Sequence, residues 1–240
     1  MLVPVEILKA KERGHANHGW LDTYHTFSFG DYYNPKRMGF GPLRVINDDV
    51  IAPDNGFGMH PHRDMEILSF VVDGELKHED NMGNGSIIKS GCFQKMSAGT
   101  GVLHSEYNPS KQNPTRLLQI WIVPDKKGIL PSYQELTKEN FDVNKELTLV
   151  ASDDKNDGVI HIQQKVRIYH GSLANGKELT FPIESHDGVW LQMVTGQMEV
   201  NAQIVEKGDG LSALGGGRLK FHAKAPTVFL LFSLIALQSK

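Results

Sequence analysis

The sequence predicts an all-β protein assembled from two copies of one β unit. Short runs rich in Val, Ile, Leu, Phe and Trp, bounded by Gly, Asp, Asn or Pro, recur along the whole chain, the pattern of a sandwich or barrel. Only one segment reads as helix. The turn and strand signals of the first half return in the same order in the second, as repeat-built folds do. At 240 residues, with 40% hydrophobic and 22% charged, the chain can bury a sizeable core.

Taken in order, the N-terminal "MLVPVEILKAKERGH" lacks a basic stretch followed by an apolar one, so no export signal is expected there. The aromatic, Gly-rich segment after it carries His15, His18 and His25, which read as surface or hydrogen-bonded structural histidines. "EILSFVVDGELKHE", residues 66–79, is a strand, a D-G turn and a second strand; "RLLQIWIVP", residues 116–124, is another strand. In "PSYQELTKENF", residues 131–141, Pro131 and Ser132 can open a short helix linking the halves. "VIHIQQKVRIYHG", "GVWLQMVTGQMEV" and "TVFLLFSLIAL" supply strands of the second half. The expected domains are residues 1–130 and 131–240. The longest apolar run, "VFLLFSLIAL", is far short of the ~20 residues of a membrane span. A cytoplasmic protein without a membrane partner is expected.

The internal echo is specific. "FVVDGELKHE" resembles "QMVTGQMEVN", and "IKSGCFQKMSAGTGVLHSEY" resembles "VEKGDGLSALGGGRLKFHAK". In the simplest register, residues near Pro182 and Glu184 fall opposite His60 and His62, Phe221 opposite His104, and Ala223 opposite Glu106. Whatever the first half builds at those positions, the second half lacks.

The formal net charge of -3, without a basic stripe, argues against direct nucleic-acid binding. The single cysteine, Cys92, excludes an internal disulfide and a Cys-rich zinc site and reads as a small buried hydrophobe.

"GMHPHRD" and "GTGVLHSEYN" carry the chemistry. Side chains at i and i+2 of a strand share a face, and Pro61 holds the residue before it extended, so His60 and His62 can converge on one point. His104 and Glu106 repeat the spacing. Two neighbouring strands would then offer three imidazoles and a carboxylate, a donor set suited to a divalent transition metal with positions left open for substrate. A lone H-x-H pair more often has no metal role; the matching H-x-E pair raises its weight. Asp64, on the same strand face as the histidine pair, can orient a ligand imidazole, or with Glu66 belong to a polar rim. His78, His161, His170, His186 and His222 stand alone and read as structural or surface residues.

"HGWLDTYHTFSFGDYYNPKRMGFGPLRVINDDVIAP", "GMHPHRDMEILSFVVDGELKHEDNMGN", "MSAGTGVLHSEYN" and "LLQIWIVP" strongly resemble the pirin family, in particular its bacterial bicupin members. The resemblance spans essentially the first half; in the second it rests on a cupin-like turn pattern. It implies two antiparallel barrels of six to eight strands, face to face, with metal only in the N-terminal one, held by His60, His62, His104 and Glu106. It implies iron(II) as the expected metal, with nickel, copper, manganese, cobalt or zinc able to take the same donors. It also implies activity like that of quercetin 2,3-dioxygenases: a flavonol and O2 as substrates, an apolar pocket in the barrel, Glu106 as metal ligand and general base, and ring opening with loss of carbon monoxide. The expected form is a monomer. The rival reading is an iron- or redox-sensing regulator that docks on a protein partner, as the animal relatives do.

Overall fold

The computed structural model describes residues 1–155 and 158–235. Its strands, in chain order, are β1 (Val5–Leu8), β2 (Gly14–Asn17), β3 (Leu21–His25), β4 (Leu43–Ile51), β5 (Gly56–His62), β6 (Glu66–Asp73), β7 (Glu75–Asp80), β8 (Gly85–Lys89), β9 (Phe93–Ser97), β10 (Val102–Tyr107) and β11 (Thr115–Ile122). There follow β12 (Ser132–Leu136), β13 (Leu147–Ser152), β14 (Ile160–His161), β15 (Val166–Leu173), β16 (Glu178–Ile183), β17 (Gly188–Thr195), β18 (Gln197–Val200), β19 (Gln203–Glu206), β20 (Gly210–Leu214), β21 (Gly217–Ala223) and β22 (Thr227–Leu234). The one helical element among the described residues is a single 3-10 turn, Ala10–Glu12. Residues 236 and 237 of the predicted C-terminal strand lie outside the described residues.

The chain divides into two compact units: Gly14–Asn140 with Ile162–Gln164, and Met1–Arg13, Phe141–His161 and Lys165–Lys240. The first unit has a seven-stranded sheet, β12-β9-β6-β11-β4-β3-β2, and a four-stranded sheet, β5-β10-β7-β8. The second has the same plan, with sheets β1-β20-β17-β22-β15-β13-β14 and β16-β21-β18-β19. All pairings between these strands are antiparallel except β13 with β14. Each unit thus has more strands than the expected six to eight, because the larger sheet is extended at its edges.

In the first unit the two sheets meet through Leu21, Ile51, Val71 and Leu117 from one and Leu76 and Ile88 from the other, with Cys92 among them. In the second, Leu191, Leu211, Phe229 and Leu231 meet Met198, Val205, Leu219 and Phe221. Burying each such side chain stabilises the fold by about 1.5–3 kcal/mol before the entropy of ordering is subtracted. The repeat extends to the turns. The β6–β7 turn at Gly74 and the β17–β18 turn at Gly196 have φ +78 and +80, a left-handed conformation that glycine adopts without strain.

Two expectations are corrected. The segment 131–141 does not form a linking helix: residues 132–136 form β12, which pairs along β9 from Ser132↔Ser97 to Leu136↔Phe93. The unpaired edge of β9 satisfies a full row of backbone groups and buries Leu136, which outweighs a weak helical preference. The register of the echo also differs. His60 pairs with His104 and His62 with Val102, whereas Phe221 pairs with Leu179 and Leu219 with Phe181. The counterparts of the histidine pair are therefore Leu179 and Phe181, not Pro182 and Glu184. With Phe221 and Ala223 they belong to the apolar interior of the second unit.

Candidate metal centre

β5 and β10 are adjacent antiparallel strands, and His104 lies directly opposite His60. Their close approach is possible because Gly56 has no side chain: a Cβ there would sit 2.2 Å from the Glu106 carbonyl oxygen. Alternation along each strand turns His60, His62 and His104 to a common point. Their ring centroids are 4.4 Å (His60–His104), 4.7 Å (His60–His62) and 5.0 Å (His62–His104) apart, and one ring nitrogen of each lies within 4.8 Å of the others.

Glu106 is placed differently. The β5–β10 register shifts after His104, so that Glu106 faces Phe57 and Gly58 and Met59 together oppose Ser105, a β-bulge. On its other side Glu106 pairs with His78 of β7. Its carboxylate groups with His104 and His78, again within 4.8 Å, rather than with His60 and His62. His78 was not singled out from the sequence; the available signal was the H-x-D spacing of His78 and Asp80 in "GELKHED", whose side chains make a buried contact of 3.3 Å.

The nitrogens suit a cation. His60 Nδ1 lies 2.8 Å from the Gly58 carbonyl oxygen; a carbonyl only accepts, so Nδ1 carries a proton and Nε2 is the nitrogen left to face a metal. His62 Nε2 and both nitrogens of His104 are buried with no hydrogen-bond partner, an arrangement unfavourable unless something else satisfies them. Burial, reinforced by neighbouring imidazoles, lowers His62 to about 4 and His104 to about 3, so both are neutral donors at pH 7. Three converging imidazoles with a buried carboxyl group beside one of them fit a divalent transition metal.

Similarity to known proteins extends over nearly the whole chain. The family model for pirin matches residues 7–122, and the model for the quercetinase C-terminal cupin domain matches residues 149–234. The quercetin 2,3-dioxygenase of Escherichia coli (strain K12) is 45% identical over 230 residues, covering 96% of this chain and 98% of that protein. The chain belongs to the pirin family. Among solved structures, YhhW from Escherichia coli has a TM-score of 0.94 at 44% identity, covering 99% of this chain and 100% of that one. Bacterial pirin YhhW in complex with nickel(II), also from Escherichia coli, has a TM-score of 0.91 at 44% identity, covering 96% and 99%. Every residue of the site lies in the stretch matched as pirin, and the apolar counterparts lie in the stretch matched as C-terminal cupin.

In this pirin, the support beneath the site comes from the opposite sheet. Gln94, Ser69, Gln119, Asn47 and His25 are successive cross-strand partners on β9, β6, β11, β4 and β3. The first three reach Glu106: Ser69 Oγ and Gln94 Nε2 donate to Oε1 at 2.9 and 2.6 Å, and Gln119 Nε2 donates to Oε2 at 2.7 Å. Glu106 is 1% exposed, so these donors fix its orientation and offset its burial. Gln119 is held in turn by Trp121, whose Nε1 donates to Gln119 Oε1 at 3.2 Å and whose ring stands edge-on to His62 at 5.0 Å.

Asp64 does not orient a ligand. It lies beyond the end of β5 with φ 48, and its Oδ1 accepts the Gly128 backbone N–H at 2.7 Å. Glu66 is not in a polar rim either, being buried and paired with Lys95 at 3.2 Å. His15, His18 and His25 line a cavity of about 610 Å³ in the first unit, together with Trp20, Phe57 and Gln119. Phe57 is 6.3 Å from the His60 ring, centroid to centroid, and Gln119 bonds Glu106, so the cavity wall is one side chain from the candidate ligands.

Proposed function

We propose that this pirin is a metal-dependent dioxygenase that opens the central ring of quercetin-like flavonols with O2 and releases carbon monoxide. The observation that carries the reading is the convergence of three imidazoles, with a fixed carboxylate grouped with one of them, His104, beside an aromatic-walled cavity. The named activity of the Escherichia coli relative supports it. In this reading the unit beginning at Gly14 binds metal, and the second unit, apolar at the equivalent positions, does not.

His60, His62, His104 and Glu106 hold one divalent ion, which we assign as iron(II); nickel(II), present in the complex of the relative, suits the same donors. Held there, a redox-capable metal supplies a Lewis-acidic position for the substrate's 3-hydroxyl oxygen and a route for electrons to O2. Glu106 takes the 3-hydroxyl proton at Oε2, which accepts one hydrogen bond where Oε1 accepts two. Ser69, Gln94 and Gln119 keep that carboxylate aimed throughout. Trp121 fixes the His62 ring from its edge. The buried floor of the cavity, which includes Leu21, His25, Asn47 and Gln119, limits the access of water to the electron-rich flavonolate. A cavity of this size adjoining the ligands favours turnover over a purely sensing role.

The test is loss of quercetin absorbance in protein reconstituted with iron(II), nickel, copper or zinc. Metal-dependent turnover is expected with redox-capable ions and not with zinc. Stoichiometric metal without turnover in any form would move the assignment to a sensor.

A further inference from the structure

The cavity contains polar groups that the proposed reaction does not use. Asp49 on β4 and Thr23 on β3 are cross-strand partners, both line the cavity, and they are 2% and 3% exposed. Apart from a weak contact with each other, Asp49 Oδ1 and Thr23 Oγ1 have no hydrogen-bond partner. Buried polar atoms are almost always satisfied, so two side by side on a cavity wall point to a ligand that satisfies them. The surrounding wall says which kind. Trp20, Phe29, Tyr32 and Phe57 line the same space, Trp20 meets Phe57 edge to face at 5.1 Å, and Phe29 meets Trp121 likewise at 5.3 Å. Aromatic faces around an acceptor and a hydroxyl fit a planar ring bearing phenolic hydroxyls.

We infer that Asp49 and Thr23 form the subsite that reads the hydroxyl groups of the flavonol remote from the metal, with a phenolic O–H donating to Asp49 Oδ1 and Thr23 Oγ1 taking up a neighbouring hydroxyl. The inference rests on the dioxygenase reading for its substrate class. Burial outweighs the lowering contact with the Thr23 hydroxyl and, with the nearby Asp48 and Glu106 carboxylates, raises Asp49 to about 7. These are positioning residues: they select and orient the substrate while Glu106 and the metal act at the reacting hydroxyl.

The experiment compares quercetin with 3-hydroxyflavone, which keeps only the reacting hydroxyl. Dissociation constants are measured by fluorescence quenching in zinc-loaded protein, where the ligand is not consumed, and KM and kcat in the redox-active form. The wild type should prefer quercetin. Asp49→Leu and Thr23→Val should each weaken quercetin by roughly tenfold or more, as loss of a hydrogen-bond partner at a polar subsite does, and leave 3-hydroxyflavone nearly unchanged. Asp49→Asn, which keeps a carbonyl acceptor, should restore most of the preference; a merely structural Asp49 would show no such split between ligands. A wild type with no preference, or variants that keep it, overturns the inference. Turnover with an unaltered preference in the variants sinks the subsite and leaves the dioxygenase reading. A preference lost in Asp49→Leu, in protein inactive with every metal, sinks that reading and leaves the subsite.

Discussion

Asp49→Asn gives a quantitative test of how the interior is built. Asp49 is buried at 2% exposure, and its carboxyl rises from 3.8 to about 7, chiefly through burial, against a lowering contact with Thr23 and with smaller contributions from Asp48 and Glu106. A carboxyl raised in the folded state binds its proton more tightly there than in the unfolded chain, so stability falls as pH rises between the two values and is level outside them. The full swing, from 3.8 to about 7, corresponds to about 4 kcal/mol at roughly 1.4 kcal/mol per unit. Between pH 5 and pH 8 the two titration curves leave about 2 to 3 kcal/mol of it. Asp49→Asn removes the titration, so the difference between variant and wild type should move toward the variant by that amount over the interval. Subtracting the two proteins cancels the opposite contribution of His62 and His104, whose lowered values make the metal-free protein less stable as pH falls below the ordinary imidazole range. The assay is hydrogen exchange of the β3 and β4 amides in chelated protein, corrected for the intrinsic rate at each pH, which reports local opening free energies without requiring two-state unfolding of both units. A difference that is flat from pH 5 to pH 8 would refute the placement of Asp49 as a buried acid whose burial outweighs its one weak contact.

Other outcomes follow from the same geometry. Glu106→Gln should keep most of the metal and lose most turnover, checked by elemental analysis beside the quercetin assay; unchanged turnover would remove Glu106 as the base. Gln119→Leu should weaken metal binding by about 10–100-fold, measured by competition with a chelator, because it removes the donor to Glu106 Oε2 and leaves Trp121 Nε1 without its acceptor. Gly56→Ala should destabilise the first unit by about 1–3 kcal/mol in urea unfolding and reduce metal content, since its methyl group would press on the Glu106 backbone and part β5 from β10.

What was legible in the sequence was local. The i, i+2 spacing of His60 with His62 and of His104 with Glu106 placed each pair on one face, because alternation along a strand depends on that strand alone. The repeated turn signals gave two copies of one β unit, which the matching sheet orders display. Cross-strand register was not legible. Nothing near Glu106 in the chain announces Ser69, Gln94 or Gln119, which reach it from the opposite sheet, or His78, which becomes its neighbour through pairing with β7. The same blindness put Pro182 and Glu184, rather than Leu179 and Phe181, at the counterparts of the histidines. Pairing also decided β12: "SYQEL" has no strong preference of its own, and the free edge of β9 settled it. For the same reason β1, although at the start of the chain, pairs with β20.

The central claim is that one metal ion sits on His60, His62, His104 and Glu106. Since His104 also belongs to a second group with His78 and Glu106, the most direct measurement is a crystal structure of metal-loaded protein with the ion located by its anomalous scattering. The account predicts one peak in the first unit at about 2.0–2.2 Å from a ring nitrogen of each of the three histidines, with Glu106 as the fourth ligand, and none in the second. A peak held by His78, His104 and Glu106, with His60 and His62 unbound, would contradict it.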